Sequence, residues 1–508
     1  MNFLCRCCLL LFLSSLLIIS SVDADGAGKQ HSSAEDYLYL GSTALSEDDN
    51  SKAIDLYEKG IAALKDDGSE SIITILSLET NLATAYSAIG GDVREKIIEH
   101  YEKAISAYDQ IDPIDDKEII EDAKSIASQS YFFYGMVLQD MEGTQQKSLE
   151  MYAHAVVLDP NLWAAWGNLG AVFHDHVKNY DEALNAYNKA YDVLTEQKNP
   201  TDPPADPKPI LSQLQYRIGL CLTKNPDRKC ALEGDPQTPV SCKEMANHAY
   251  SLAVQYDPDN ESAKHMLATL TADATMKRAS NKYVKDLFDR YAHDFEHSLV
   301  EELGYDGYAR LRRGFDRAFG GRESLPTFSK VVDAGCGTGL VGEQFRNISS
   351  HLIGVDLSEA ILDEAERLRP NLYNERIVGD ITEVFRRKKP ISLIVAADSF
   401  IYFGDLDPLF DAIEDGLDHE AYIAFTLENT DAETESTLNE SKPDWRWQLT
   451  ASGRFAHRKE YATKVGLAHG LTLIHYEKLD GFRHDHGKDV RGHLFVMQKG
   501  SSHKKDEL

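Results

Sequence analysis

Acidic side chains and glycines that could bind a nucleotide follow one short apolar run. Asp333 ends that run, and small residues then alternate with three glycines: Gly335, Gly337 and Gly339. Glycine at alternate positions lets the backbone turn sharply out of a strand and lets a ligand lie against bare main chain. We therefore expect this turn, including Cys336, to contact a cofactor through its main chain. The Cys336 side chain is predicted to be a small structural residue, since no partner is visible.

Two further acids end later strands and would complete the site. Asp356 lies 17 residues beyond the last glycine, where a βαβ nucleotide fold binds ribose hydroxyls. Asp380 is placed to accept a hydrogen bond from an adenine amine, with Leu357 or Ile381 covering the ring. Asp333 is suited to face a cationic group of the ligand.

Two other nucleotide sites compete with this interpretation. A phosphate-binding loop would carry a Lys-Ser or Lys-Thr pair after its glycines, and none follows here. A dinucleotide site has superficially similar glycines. The acid before the first glycine and the acid at Asp380 favour a methyl donor. We predict S-adenosylmethionine as the cofactor.

The second half of the chain alternates between predicted strands and helices. Residues 276 to 320 show the spacing of an amphipathic helix. Strands are then predicted at 331–333, 352–356, 376–378, 393–396, 422–425, 472–476 and 493–497. This alternation predicts a Rossmann-like parallel sheet of seven strands with helices on both faces, closed by late antiparallel strands. Ligands of such sheets bind beyond the carboxyl ends of the strands, where the acids lie.

The first half, residues 33–275, reads as an all-α array of helix pairs. Small residues recur where two helices must approach closely, together with aromatic residues, as in Trp166-Leu169-Gly170-Phe173 followed by Ala183-Tyr187-Ala190. The pattern resembles the tetratricopeptide (TPR) repeat, with five copies counted here. Stacked repeats of this kind form one superhelix, whose groove would bind a peptide or protein. The alternative is a rigid scaffold without a ligand.

Several stretches of residues 276–499 resemble class I S-adenosylmethionine-dependent methyltransferases, and more narrowly the predicted methyltransferases that carry TPR repeats. They include Phe288-Asp289-Arg290-Tyr291-Ala292, residues 331–342, Gly354-Val355-Asp356-Leu357-Ser358, residues 393–398 and 452–457. The resemblance implies that Tyr291 closes over the cofactor and that Asp398 lines the site. It implies methyl transfer by in-line displacement.

The need for a catalytic base depends on the methyl acceptor, which the sequence does not identify. A carboxylate acceptor needs no base, whereas a hydroxyl or amine must lose a proton. His457, in a family-like motif, is the first candidate for that base and Tyr402 another. The alternative for His457 is an ordinary hydrogen-bonding histidine. His484-Asp485-His486 offers too few ligands for a metal, so no metal site is predicted.

Both ends of the chain carry features of targeting signals. Residues 1–24 read as a secretory signal peptide, and the tail 500–508 ends in Lys-Asp-Glu-Leu, an endoplasmic reticulum (ER) retrieval signal. We therefore predict a protein of the ER lumen with no membrane span after signal removal. In that compartment we favour a disulfide between Cys230 and Cys242, with free cysteines as the alternative.

Composition and architecture leave two functions open. The net charge of −30 argues against nucleic acid as a partner. One function is a luminal methyltransferase whose repeats recruit a protein partner or substrate. The other is a TPR adaptor or ER quality-control cofactor whose methyltransferase-like domain is catalytically silent.

Overall fold

The computed structural model describes residues 33–500 except 68–71, 91–92, 112–116, 142, 196–199, 225–228, 233–234, 272–274, 294, 303, 482–483 and 486–487. The predicted signal peptide, the Lys-Asp-Glu-Leu tail and His486 lie outside the described residues. The chain divides between Asn260 and Glu261 into two compact units. Each unit is described by itself below.

The first unit is built from helices that pack in consecutive pairs. Its helices are α1 (Ala34–Ser46), α2 (Asn50–Asp67), α3 (Ile72–Ile89), α4 (Arg94–Tyr108), α5 (Lys117–Gln139), α6 (Gln145–Leu158), α7 (Trp163–Val172), α8 (Tyr180–Thr195), α9 (Lys208–Thr223) and α10 (Cys242–Tyr256). Each odd-numbered helix packs against the next even-numbered one, and each pair packs against the following pair. The predicted array of five helix pairs is therefore present, although the unit is not entirely α-helical because it also contains a two-stranded sheet.

A glycine faces a buried tyrosine in four of these pairs. A Cβ atom added to the glycine would lie 2.4–2.8 Å from the tyrosine ring at Gly41–Tyr57, Gly135–Tyr152, Gly170–Tyr187 and Gly219–Tyr250. Each of these four tyrosines is 0% exposed. Only glycine lets the two helices approach this closely, which accounts for the small residues in the sequence pattern.

Two local features complete the first unit. A disulfide joins Cys230, in β1 (Lys229–Leu232), to Cys242, with the two Cα atoms 5.2 Å apart. The predicted pairing is confirmed. β1 pairs with β2 (Asp235–Ser241). Among the described helices, α3 alone is long and apolar enough to cross a bilayer, and 67% of its apolar window is buried inside the protein, as in a core helix.

The second unit combines helices with one large sheet. Its helices are α11 (Glu261–Thr271), α12 (Asn281–Tyr291), α13 (Phe295–His297), α14 (Gly307–Ala318), α15 (Leu340–Phe345), α16 (Glu359–Leu368), α17 (Ile381–Lys388), α18 (Asp407–Gly416), α19 (Ala432–Ser441) and α20 (Lys459–Ala468). Its strands are β3 (Phe328–Ala334), β4 (Ser349–Asp356), β5 (Glu375–Val378), β6 (Ile391–Ala396), β7 (Leu417–Glu428), β8 (Trp447–Leu449), β9 (Phe455–His457), β10 (Leu471–Leu479), β11 (His484–Asp485), β12 (Lys488–Asp489) and β13 (Gly492–Lys499).

The sheet order explains where a ligand site can form. Seven strands run in the order β10-β13-β7-β6-β3-β4-β5. In addition, β9 pairs with the last residue of β7, and β8 pairs with β9. The strands from β7 to β5 are parallel, while β13 is antiparallel to both neighbours. The chain builds outward from β3 to β5 and then returns to β6 on the other side of β3. This reversal opens a crevice at the carboxyl ends of β3 and β6.

The seven predicted strands are confirmed, and helices pack on both faces of the sheet. The late strands β10 and β13 pair antiparallel, as expected, and β10 therefore runs in the same direction as β7. One expectation differs from the structure. The single amphipathic stretch predicted for 276–320 is divided into α12, α13 and α14, and Gly304, with φ 60°, precedes the last of them.

The second unit begins earlier than residue 276, the predicted start of the methyltransferase domain. The unit includes α11. His265 of this helix stacks on Tyr283 with the ring centroids 3.9 Å apart, and its Nε2 lies 2.7 Å from the carbonyl oxygen of Gly453. These contacts fix α11 to elements of the same unit.

Candidate functional site

The glycine turn after β3 presents bare main chain at the crevice. Gly335, Gly337 and Gly339 have φ values of 70°, 51° and 96°, which L side chains rarely adopt. The N–H groups of Gly335 and Cys336 donate to the Val355 carbonyl at 2.8 and 2.9 Å. A Cβ on Gly335 would lie 2.4 Å from the Cβ of Ser399. The turn is therefore held between β4 and the segment that follows β6.

Asp356 lies directly beside this turn, as the sequence predicted for a ribose-binding acid. Its Oδ2 accepts from the Gly337 N–H at 3.0 Å and its Oδ1 from the Ser358 N–H at 3.1 Å. Burial raises the pKa of Asp356, and these main-chain bonds oppose the rise. Each carboxylate oxygen has a second lone pair, so both can also accept from vicinal hydroxyls of a ligand.

Asp333 is completely buried behind the turn. The Tyr373 hydroxyl donates to its Oδ2 at 2.7 Å, while Oδ1 has no hydrogen-bond partner among the described residues. Burial raises the pKa of Asp333 to about 7, although hydrogen bonds from the Tyr373 hydroxyl and from the Gly342 backbone oppose this rise. A buried acid with one unsatisfied oxygen fits the predicted contact with a cationic group.

Asp380, the predicted acceptor for an adenine amine, already has donors from the protein. Its Oδ1 accepts from the Thr382 N–H at 2.8 Å and so caps α17. Its Oδ2 accepts from Arg278 Nη2 at 2.6 Å and from Asn281 Nδ2 at 2.9 Å. Burial alone would raise the pKa of Asp380, but these hydrogen bonds and the Arg278 charge hold it below its ordinary value. In this conformation the carboxylate is engaged by Arg278 instead of being open to a base.

The two apolar residues predicted to cover adenine lie in different surroundings. Ile381, the first residue of α17, is 8% exposed and belongs to the core on one face of the sheet. Leu357 is half-buried beside a separate apolar cluster that includes Tyr283, Ile401 and Tyr402. Leu357 immediately follows Asp356, so it is the better placed of the two to pack on a ligand at that carboxylate.

A segment of which the sequence analysis assigned only Tyr291 to the site crosses the loops after β3, β4 and β5. This segment, residues 278–296 without residue 294, is called the cover segment below. Arg278 binds Asp380, Asp289 accepts from the Ser358 hydroxyl at 2.5 Å, and Glu296 accepts from the Thr338 hydroxyl at 2.6 Å.

An ion pair strengthens the last of these contacts. Arg369 donates to both oxygens of Glu296, at 2.7 and 2.9 Å. Burial would raise the pKa of Glu296, but the hydrogen bonds from Arg369 and Thr338 lower it overall. The ring of Phe295 lies 3.4 Å from where a Cβ of Gly337 would be. The cover segment therefore reaches the glycine turn itself.

Two residues that the family resemblance implied have clear positions. Asp398, just after β6, has φ 54°, an uncommon conformation outside glycine that is concentrated at functional sites. Its N–H donates to Thr426 Oγ1 at 2.9 Å, and the next residue, Ser399, contacts the glycine turn. Tyr291 is the last residue of α12 and is 38% exposed.

The predicted base His457 is enclosed in the structure. It is 0% exposed, and its Nε2 lies 3.2 Å from the carbonyl oxygen of Gly404. Burial lowers the pKa of His457 to about 4. A catalytic base must reach the proton that it removes, and this imidazole is completely enclosed, so we correct the assignment to a buried hydrogen-bonding histidine.

Tyr402 remains next to the cover segment. It lies in the helical turn Phe400–Tyr402 after β6 and is 6% exposed. Its ring meets Phe288 edge to face at 5.9 Å, and its carbonyl accepts from the Ala279 N–H at 2.9 Å.

No group of three or more His, Cys, Asp or Glu in the described part of the chain is arranged to hold a metal.

Sequence comparison connects this site with one family. Residues 331–419 match the family model described as a methyltransferase domain, which spans the turn, Asp356, Asp380 and Asp398. The chain therefore contains a methyltransferase domain in this stretch. No curated protein gives a significant match.

Solved structures that resemble the chain include three methyltransferases. Magnesium protoporphyrin IX methyltransferase from Synechocystis PCC 6803, solved with bound SAH, has 12% identity over 44% of this chain and 100% of its own, with a TM-score of 0.33. The N-methyltransferase NodS from Bradyrhizobium japonicum WM9 has 14% identity over 42% and 98%, with a TM-score of 0.32. An S-adenosylmethionine-dependent methyltransferase from Clostridium acetobutylicum ATCC 824 has 17% identity over 42% and 100%, with a TM-score of 0.31. TM-scores this low do not establish a shared fold, so the fold described above rests on its own strand order.

Proposed function

We propose that the second unit is an S-adenosylmethionine-dependent methyltransferase. One observation carries the proposal: the Asp356 carboxylate accepts from the Gly337 N–H, inside a turn of three positive-φ glycines at the strand-order reversal. This arrangement joins an acceptor for ribose hydroxyls to a main chain that a ligand can approach closely. The methyltransferase-domain match over residues 331–419 supports the same conclusion.

The residues present fit this cofactor. The glycine turn would hold its amino-acid part, Asp356 its ribose and Leu357 one side of its adenine, and the unsatisfied Oδ1 of Asp333 suits an ammonium group. When bound, S-adenosylmethionine supplies a methyl group on a sulfonium centre that is already activated for displacement. The protein's own task is to orient the reactants and to keep water out, for which the cover segment is suitably placed.

The methyl acceptor is proposed only as one of two chemical classes, which differ in whether the acceptor must lose a proton. No histidine assigned to the site can remove a proton, because His457 is enclosed. Tyr402 is the remaining candidate for a hydroxyl or amine acceptor. A carboxylate acceptor would need neither residue.

The array and the location extend the proposal. We infer that the helix pairs are TPR repeats whose groove recruits a protein partner or substrate, which the repeated glycine–tyrosine packing supports. We also infer that the protein works in the ER lumen, from the signal-like residues 1–24 and the Lys-Asp-Glu-Leu end. A disulfide at Cys230–Cys242 suits that oxidising compartment.

A second candidate function has one observation in its favour. Asp380 is engaged by Arg278 and Asn281, and Glu296 pairs with Arg369, so protein contacts satisfy two carboxylates at this edge. A domain that never binds a cofactor would keep such contacts permanently. The protein would then be a TPR adaptor or ER quality-control cofactor with a silent methyltransferase-like domain.

Label transfer tests the enzymatic function. The full chain is incubated with S-adenosylmethionine carrying a tritiated methyl group and with an ER-lumen extract, and protein and small-molecule fractions are counted separately. We expect label in one fraction that depends on the wild-type protein, is lost with Asp356→Ala and is retained with Glu364→Ala. Glu364 is a matched buried acid on α16 whose carboxylate pairs with Arg367. Incorporation that is the same with and without the wild-type protein would favour the adaptor.

A further inference from the structure

Tyr373, which no prediction assigned to the site, occupies a slot made by glycines. It lies between α16 and β5 and is 8% exposed. A Cβ on Gly354 of β4 would lie 3.0 Å from its ring, and a Cβ on Gly342 of α15 would lie 2.5 Å from its hydroxyl oxygen. Real Cβ atoms essentially never approach as closely as at Gly342 and seldom as closely as at Gly354, so both glycines make room for the Tyr373 side chain.

The hydroxyl of Tyr373 binds the acid at one end of the glycine turn and lies near the other end. It donates to Oδ2 of Asp333, before the first glycine, at 2.7 Å. It also lies 3.4 Å from where a Cβ of Gly339, the last glycine of the turn, would be. A hydrogen bond from a buried phenol to a carboxyl group is directional and fixes the orientation of the acid. Tyr373 therefore holds Asp333 with Oδ2 occupied and Oδ1 unsatisfied.

The groups that face Asp333 leave its charge uncompensated. They are the Tyr373 phenol, the backbone N–H of Gly342, the Cys336 thiol and the Asp356 carboxylate. Burial keeps the pKa of both Tyr373 and Cys336 well above the ordinary value, so neither group is charged at neutral pH, and Asp356 is an acid itself. None of these described neighbours is a cation. A buried acid in such surroundings is stabilised as an anion when a cationic ligand group arrives.

We propose that Tyr373 is a positioning residue of the cofactor site, which orients Asp333 so that its Oδ1 accepts a hydrogen bond from the ammonium group of S-adenosylmethionine. This inference rests on the proposed function. It assigns Tyr373 an effect on one part of the cofactor, the amino-acid part. The adenosine part, which we assign to Asp356 and Leu357, should not depend on Tyr373.

Two ligands that differ in the amino-acid part test the proposal. S-adenosylhomocysteine carries the ammonium group, whereas 5′-methylthioadenosine lacks the amino-acid part but keeps adenosine and sulfur. Calorimetric titration of the full chain compares wild type with Tyr373→Phe. We expect about tenfold weaker binding of S-adenosylhomocysteine by the variant, the effect of losing a hydrogen bond that supports a charged contact. Binding of 5′-methylthioadenosine should change less than about twofold.

Tyr422→Phe is the matched control, because it also removes one hydrogen-bonded hydroxyl. Tyr422 accepts from Gln498 Nε2 at 2.9 Å, and it pairs with Leu393 well before the carboxyl end of β7. This control should bind both ligands as wild type does. Asp333→Asn is a second variant that keeps the side-chain shape, and it should lose affinity for S-adenosylhomocysteine only.

A pH series adds a measurement that a merely structural tyrosine would not affect. Wild-type affinity for S-adenosylhomocysteine should fall as the pH is lowered through about 7, where Asp333 takes up a proton. In Tyr373→Phe the midpoint should move to higher pH, because the bond that favours the ionised acid is lost.

The possible failures are distinguishable. Equal weakening of both ligands by Tyr373→Phe, or no weakening of either, overturns the role given to Tyr373 while leaving the proposed function standing. If Tyr373→Phe does not fold, selective loss in Asp333→Asn is still required, and its absence overturns the proposal. Failure of the wild type to bind either ligand overturns the proposed function itself.

Discussion

Asp333 makes the stability of the second unit depend on pH. Its pKa in the folded protein is about 7, against 3.8 for the free side chain. The folded state therefore holds the proton more tightly than the unfolded chain does, and protonation stabilises the fold. This contribution is complete below about pH 4, declines as the pH rises to about 7 and is absent above that value.

The prediction at this position compares wild type with Asp333→Asn. The stability of wild type relative to the variant should fall by about 2 kcal/mol between pH 5 and pH 7, and should then change by less than about 0.5 kcal/mol up to pH 9. Calorimetric melting at each pH measures the difference for the second unit. Glu364→Gln serves as the control, because hydrogen bonds from Arg367 lower the pKa of Glu364 and place its titration below this range. A difference that does not vary with pH would contradict the buried state of Asp333.

Site residues that directly follow a strand were predicted from the sequence, whereas several site residues that come from other elements were missed. Asp356 was predicted because an apolar run ends there, and the structure brings it to Gly337. Tyr373 and Arg278 were missed, because each contacts its acid through tertiary packing that leaves no periodic signal. Gly342 and Gly354 make room for Tyr373 in the structure. The sequence alone does not show why glycine is required at these two positions.

His457 shows the opposite error. Its place in a family-like motif suggested chemistry, but β9 carries it into the interior, where it contacts the Gly404 carbonyl. Sequence pattern gives residue type and position along the chain. It does not give burial, and burial decides whether an imidazole can act as a base.

Among the elements, the cover segment is held by contacts that can be removed singly. Glu296 links α13 to Thr338 and to Arg369, and both partners are more than half buried. Replacing it by Gln removes the charge that Arg369 requires. We expect amide hydrogens of α12 and α13 to exchange about tenfold faster in Glu296→Gln, while those of β3 are unchanged.

Glu301→Gln is the control for that measurement. Glu301 also pairs with a neighbour, His297, at 3.2 Å, but its side chain is 70% exposed. Exposed pairs contribute little to stability, so exchange should match the wild type. Unchanged exchange in Glu296→Gln would show that the contacts with Thr338 and Arg369 do not hold the cover segment.

Elements were predictable where they are long or strongly patterned. The seven strands of the large sheet were identified from apolar runs, whereas β8 and β9 have three residues each, and the sequence of β2, Asp-Pro-Gln-Thr-Pro-Val-Ser, has no apolar run. The amphipathic stretch at 276–320 has one apolar face throughout, so its division into three helices was not visible. Turns at Gly304 and at the end of α12 decide that division locally.

For the whole molecule, two domains were predicted, with the helical array extending to residue 275. The structure divides the chain at Asn260 and Glu261. The deciding contacts, His265 with Tyr283 and Gly453, join residues far apart in sequence.

The central claim for the whole molecule is that it binds S-adenosylmethionine through the glycine turn and Asp356. Calorimetric titration of the full chain with S-adenosylmethionine tests this claim most directly. We predict one site per chain, at least tenfold weaker binding by Asp356→Ala, and binding by Glu364→Ala equal to that of wild type. No binding by the wild type, or equal binding by wild type and Asp356→Ala, would contradict it.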